Sequence, residues 1–325
     1  MSKSFAYLGA AAAAVASVTL AVPTALAQAI SIDGSSTVYP ITEAMAEEFR
    51  GTNPDVQITV GVSGTGGGFA KFCNGETEIS NASRPIKPSE MEACAAAGIE
   101  YIEIPVAYDA ITVVVNPANN WATEMTVDQL AALWAPDSSI SSWSDIDSSW
   151  PDAEIELYGP GSDSGTFDYF TDEIVGEEGA SRPDYTASED DNILVVGVAG
   201  DENALGYFGY AYYEENTDIL NSVAVDGVSP SPQTVNNGTY TPLSRPIFIY
   251  VRRDAAERPE VSRFVSFYLD NSPEFVPEVG YVPLSAEAYA IGMGLFEDLM
   301  VGTVYSENET SGLDLEEVMQ LSRSL

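Results

Sequence analysis

The chain has 325 residues, 45% of them hydrophobic and 10% aromatic, which is globular composition and length enough for two lobes with separate cores. It carries 12 Lys+Arg against 50 Asp+Glu, a formal net charge of −38, and no histidine. Such a surface repels phosphodiester backbones and argues against a nucleic-acid partner, and without histidine there is no Ser-His-Asp or Cys-His catalysis and no His-ligated zinc.

Residues 1–27 predict an export signal: Lys3, an apolar stretch from Phe5 to Val22, then Ala25-Leu26-Ala27 as a small-x-small cleavage site. A membrane anchor is the other reading of about eighteen apolar residues, but the Ala-rich stretch ending in Pro23 favours cleavage. No cysteine stands near the cleavage point, so no lipoprotein anchor is expected, and no later stretch is long enough to span a bilayer. The expectation is an exported, soluble, periplasmic chain.

The first informative segment is Asp33-Gly34-Ser35-Ser36-Thr37-Val38-Tyr39-Pro40, a hydroxyl-rich turn followed by a helical stripe of Ile41, Ala44, Met45 and Phe49. The second is Gly61-Val62-Ser63-Gly64-Thr65-Gly66-Gly67-Gly68, leading into a helix with Phe69, Phe72 and Cys73 on one face. Cys73 and Cys94 are the only cysteines, and in an oxidising compartment a disulfide between them is the default reading, with two unpaired thiols as the alternative. The chain-entropy argument gives such a bridge about 3 kcal/mol. With no other Cys or His, no metal site is expected. Between them, Ser80-Asn81-Ala82-Ser83-Arg84-Pro85 carries one of few arginines; Arg84 is either a surface charge or a fork that meets a tetrahedral oxyanion.

Further on, Ala110–Val115 and Ile247–Val251 read as buried strands, continuous apolar runs of β-branched and aromatic residues. Helical spacing places Val127, Leu130, Leu133 and Trp134 on one face, and Val261, Phe264, Val265 and Tyr268 on another. The third hydroxyl-rich turn, Gly159-Pro160-Gly161-Ser162-Asp163-Ser164-Gly165-Thr166, opens a helix with Phe167, Phe170 and Ile174 at helical spacing. Strands alternating with helices make the fold class α/β.

Each turn empties into a helix N-terminus, where unsatisfied amides and a partial positive charge favour an anion and hydroxyls add uncharged donors. Any one of them reads equally as an ordinary helix cap. Three together point to a convergent anion site; charge-assisted hydrogen bonds contribute about 1.5–3 kcal/mol each, and micromolar binding needs roughly 8 kcal/mol. None is a P-loop, since no lysine follows, and none is G-x-S-x-G.

DGSSTVYPI, GTGGG, NASRPI, DSGTF and ALGYFGYAYY, in this order over most of the chain, with TVDQLAALW and Trp143-Ser144-Asp145 also fitting, resemble the periplasmic phosphate-binding proteins of the phosphate ABC transporter, in particular the cyanobacterial branch. The resemblance implies a two-lobe type II periplasmic-binding-protein fold with hinge-crossing strands, lobe one at 30–109 plus 247–325 and lobe two at 110–246. It implies a monomeric receptor, not an enzyme and without a cofactor, that holds inorganic phosphate between the lobes and delivers it to a membrane permease. Its ligands would be Ser36, Thr37 and the amide of Val38; Thr65 and Gly66; Ser83 and Arg84; and Asp163, Ser164, Gly165 and Thr166. Two departures stand out: Ser83 occupies the position of an aspartate that accepts the phosphate proton, and Pro160 that of an arginine. Arg84 could replace that arginine, and Asp163 or Asp33 the aspartate. The rivals are a receptor for sulfate or molybdate, an exported phosphoesterase, and a binding module that signals to a partner.

Overall fold

A computed structural model of the chain describes residues 28–162, 164–305 and 314–322; the expected export signal and Asp163 lie outside them. The chain begins with β1 (Gln28–Gly34), α1 (Tyr39–Thr52), β2 (Val56–Val62), α2 (Gly64–Cys73), β3 (Ile79–Ala82), α3 (Pro88–Ala97) and β4 (Tyr101–Val115). There follow β5 (Glu124–Met125), α4 (Val127–Trp134), α5 (Trp143–Ile146), β6 (Glu156–Pro160) and α6 (Gly165–Phe170), which runs on as a π-turn, Thr171–Val175. Next come β7 (Thr186–Ser188), α7 (Asp191–Gly200), β8 (Ala204–Gly209), α8 (Tyr210–Glu214), β9 (Asn221–Ser222), β10 (Ala224–Val225) and α9 (Pro232–Asn236). The chain closes with β11 (Ser244–Arg252), α10 (Arg253–Ala256), α11 (Pro259–Glu278), α12 (Ala286–Glu297) and α13 (Leu315–Ser322).

The main sheet runs β2-β1-β3-β11-β4-β8-β6-β7. At one end β1 pairs in parallel with β2 and β3; at the other β6 pairs in parallel with β7 and β8. The antiparallel strands β4 and β11 lie between these groups. The first part of β4, Tyr101–Ala110, pairs with β11, and the rest, Ile111–Val115, pairs with β8. The run expected at Ala110–Val115 is therefore only the end of a strand of 15 residues, every one of them buried. Pro105 and the polar Glu103 and Asp109 interrupt the apolar pattern without ending the strand, because Tyr250 and Arg245 hydrogen-bond the two carboxylates.

The helices bury most of the faces their spacing predicts, although Ala44 and Val127 stay partly exposed. In α1 the buried residues are Ile41, Thr42, Met45, Ala46 and Phe49, and Phe49 meets Phe264 of α11 edge-on at 5.3 Å. Burying a phenylalanine contributes about 1.5–3 kcal/mol. Thr126 caps α4, accepting from Gln129 N at 3.1 Å while Gln129 Oε1 accepts from Thr126 N at 2.8 Å, a reciprocal capping box. Trp134 then packs edge-on against Phe170, Tyr185 and Tyr207. The disulfide Cys73–Cys94 joins α2 to α3. No helix among the described residues is long and apolar enough to cross a membrane.

Candidate functional site

The site begins where β1 ends. Gly34 has φ of +143°, and a Cβ there would lie 2.1 Å from Asn81 O, so only glycine lets β1 leave the sheet beside β3. The chain then turns through Ser35, whose amide donates to Asn81 O at 3.0 Å and whose hydroxyl accepts from Thr37 N at 3.2 Å. The second turn is braced on the first, with Ser63 N donating to Gly34 O at 3.1 Å.

Here an expectation needs correction. GTGGG is not a loop ahead of a helix but the first turns of α2, which starts at Gly64. Glycine is a poor helix residue, yet a Cβ on Gly68 would lie 2.5 Å from Gly34 Cα, so the small residues let the helix backbone press on the end of β1. Thr65 reaches the next segment: its hydroxyl accepts from Ser83 N at 3.2 Å and shares a hydrogen bond with Ser83 Oγ at 3.0 Å. Across from these, Ser164 caps α6 by accepting from Thr166 N at 3.2 Å. A Cβ placed on Gly165 would lie 3.1 Å from Thr37 Oγ1, so the third turn faces the first at contact distance.

Ser36, Thr37, Thr65, Gly66, Ser83, Arg84 and Gly165 thus line one cavity of about 620 Å³. Val38 is not among the lining residues, and its side chain is fully buried in the core below α1. Ser164 and Thr166 flank Gly165 without lining the cavity, the Ser164 hydroxyl being spent on the cap. Asp163 lies outside the described residues.

The alternative carboxylate, Asp33, does not reach the cavity. It is buried below the second turn, where it accepts from Lys71 Nζ at 2.6 Å and from the Ser63 hydroxyl. Its place on β1 beside Gly61 makes it a brace between strands rather than a wall residue. Arg84 also differs from expectation. Its fork is filled by Glu90, with Nη1 to Oε2 at 2.9 Å and Nη2 to Oε1 at 2.8 Å, and Nη1 donates to Pro85 O at 3.1 Å. The Glu90 carboxylate, six residues downstream and just inside α3, neutralises it.

Beneath this segment Ile86 N donates to Tyr250 OH at 2.9 Å, and Tyr250 OH donates to Glu103 Oε2 at 2.6 Å. Burial pushes the Glu103 carboxyl up to about 7, against hydrogen bonds from Tyr250, Thr303 and Val304 that favour its charged form.

The far wall carries residues that sequence reasoning missed: Asp168, Asp172, Glu173, Glu178 and Arg245, with Ser35 and Lys87 on the near side. Arg245 sits on β11 opposite Asp109 in register, and its Nε and Nη2 donate to Asp109 Oδ2 at 3.3 and 3.1 Å. Its guanidinium lies 3.7 Å over the ring of Tyr169 on α6, whose hydroxyl donates to Pro242 O at 2.6 Å. Burial raises the pKa of Asp109 and Arg245 opposes it; burial and Glu178 raise that of Asp168, burial and Asp172 that of Glu173, again with Arg245 opposing. A signal for this pair was present in the sequence: an acid and an arginine stand just before the two apolar runs, at Asp109 and Arg245.

No group of three or more Asp, Glu or Cys side chains among the described residues could hold a metal ion. The arrangement presents hydroxyl and amide donors on one wall and a mixed-charge wall opposite, a setting that can hold a small anion.

Comparison with known proteins agrees with this. A PBP superfamily domain matches residues 15–272. The chain is similar to Protein SphX of Synechococcus elongatus, with 49% identity over 317 residues, 95% of this chain and 94% of that one. It is 37% identical to the phosphate-binding protein PstS of Staphylococcus saprophyticus over 82% of this chain and 84% of that one. Among solved structures, a possible phosphate binding protein from Planctomyces limnophilus superposes with a TM-score of 0.79 at 46% identity, covering 84% of this chain and 99% of that one. The fold is the two-lobe type II architecture, with β4 and β11 running between the lobes.

Proposed function

Because this chain belongs to the PBP superfamily, we propose that it is an exported receptor that binds inorganic phosphate between its lobes and delivers it to an ABC permease. The observation that carries the reading is the convergence of Ser36–Thr37, Thr65–Gly66, Ser83 and Gly165 on one cavity, from four separate chain segments. The relatives' names supply the identity of the anion.

In this reading lobe one comprises 30–109 plus 247–325 and lobe two 110–246. Phosphate meets the Ser36, Thr37 and Ser83 hydroxyls, the Thr65 hydroxyl, and the amides of Val38, Gly66 and Gly165, while Ser164 and Thr166 bond to each other in the α6 cap that holds Gly165 in place. The donors are neutral, and the Thr65–Ser83 pair and the Ser35 turn are braced by their own hydrogen bonds, so less ordering remains to be done on binding. Closure strips water from the anion, strengthens each hydrogen bond, and creates the shape a permease can read. The receptor works as a periplasmic monomer and performs no chemistry, so it needs no cofactor.

Calorimetric titration with phosphate and with sulfate, beside a phosphatase assay, tests this. Tight phosphate binding without turnover is expected; turnover, or preference for sulfate, overturns it. Asp163 is proposed as acceptor of the phosphate proton, since sulfate has no proton to give and meets only repulsion at a carboxylate. Asp163→Asn should narrow the phosphate-to-sulfate affinity ratio by about tenfold, the scale of one charge-assisted hydrogen bond; an unchanged ratio in the same titrations excludes Asp163.

A further inference from the structure

Among the described residues three cationic side chains line the cavity, Arg84, Lys87 and Arg245, and their surroundings differ. Both terminal nitrogens of Arg84 are held by Glu90, which leaves its charge matched one to one. Lys87 is exposed at the rim, a flexible and well-hydrated point charge. Arg245 is held along one edge only, where Nε and Nη2 share the single oxygen Oδ2 of Asp109, and one face of its guanidinium rests on Tyr169. Among the described residues nothing accepts a hydrogen bond from its Nη1. Its plane is thus fixed while one edge stays available.

The wall around it explains why such a group is needed. Asp168, Asp172, Glu173 and Glu178 line the same cavity, and an incoming dianion would meet them as repulsion. The field of Arg245 reaches this cluster, as its opposing effect on Asp168 and Glu173 requires. Tyr169 belongs to the helix that Gly165 begins, so the stacking contact also seats the third turn against the first.

We infer that Arg245, rather than Arg84, is the arginine that contacts the bound oxyanion, offering Nη1 while Asp109 and Tyr169 hold its plane. The inference rests on the phosphate reading above. It places the positive charge on β11, between the lobes, instead of on either lobe's turns.

Titration calorimetry with inorganic phosphate on the purified protein and on R245Q, R245K and R84Q decides it. R245Q should bind about 100-fold more weakly, R84Q less than about tenfold, and R245K between wild type and R245Q, since lysine keeps charge but not the fork. Affinity in R245Q should also fall less steeply with added salt than in R84Q, a change that a purely structural defect would not produce. R245Q within about threefold of wild type, or a larger loss in R84Q than in R245Q, overturns the inference. If R245Q does not fold, R245K decides alone, and unchanged affinity there overturns it equally. Wild-type protein that ignores phosphate defeats the functional reading itself, whereas wild-type binding with an indifferent R245Q defeats only this inference.

Discussion

On the side of the cavity built by β1, β2 and β3, with Lys87 left hydrated at the rim, the other charges are paired off and donors are braced: Asp33 with Lys71, Arg84 with Glu90, Thr65 with Ser83. Below them Thr42 donates to Asn81 Oδ1 at 3.0 Å and meets Tyr268 OH at 3.1 Å. The opposite side is a helix of six residues continued by a π-turn, with acids on its exposed face and a single stacked arginine behind it. One wall therefore supplies geometry through neutral, immobile dipoles; the other supplies charge through a balance that one side chain controls. A chain at −38 can attract an anion because that balance is local, and charges further off than roughly 10 Å are screened.

The contrast can be broken first at Gly34. Gly34→Ala combines a left-handed backbone with a Cβ 2.1 Å from Asn81 O, so a loss of about 4 kcal/mol or outright failure to fold is expected in urea denaturation. A stable variant would mean the near wall is more yielding than its hydrogen bonds imply.

A second test concerns the brace at Glu103. Its folded carboxyl titrates at about 7 against 4.5 for the ordinary group, so folding favours the protonated form. The stabilising difference is fully present below pH 4.5 and is lost as pH rises through 7. Relative to Glu103→Gln, the wild-type protein should lose about 3 kcal/mol across that window, at 1.36 kcal/mol per pKa unit. Parallel pH dependence of the two urea midpoints would show that Glu103 is solvated.

The smallest effect sharpens the comparison where the walls meet. Gly165→Ala puts a methyl 3.1 Å from Thr37 Oγ1, in a helix first turn that tolerates alanine well. Phosphate affinity should fall about tenfold by calorimetry with melting temperature unchanged; equal loss of both would make Gly165 a folding residue instead.

How far these walls could be read from the sequence follows the same division. The near wall is local: stripes such as Ile41, Met45 and Phe49, and turns such as Ser36–Thr37, write their geometry into consecutive residues. Even there, pairing across short gaps escaped notice, because Glu90 sits within reach of Arg84 only once Pro88 starts α3. The far wall depends on register between distant strands. Arg245 and Asp109 become partners through the antiparallel pairing of β11 with β4, separated by 136 residues. An acid and an arginine just before the two apolar runs mark both positions, but composition and periodicity do not say that they pair. Asp33 misled for a related reason: strand alternation, not proximity to Ser36, decides which way its carboxylate points.

The unbroken course of β4 bears on how the molecule comes apart. Its amides are shared between β11 and β8, so neither parallel group can lose its inner neighbour without exposing polar backbone of the other. The two halves should therefore melt as a single cooperative unit, and the amide protons of Ile102–Val115, Pro105 having none, should be among the slowest in the protein to exchange with solvent.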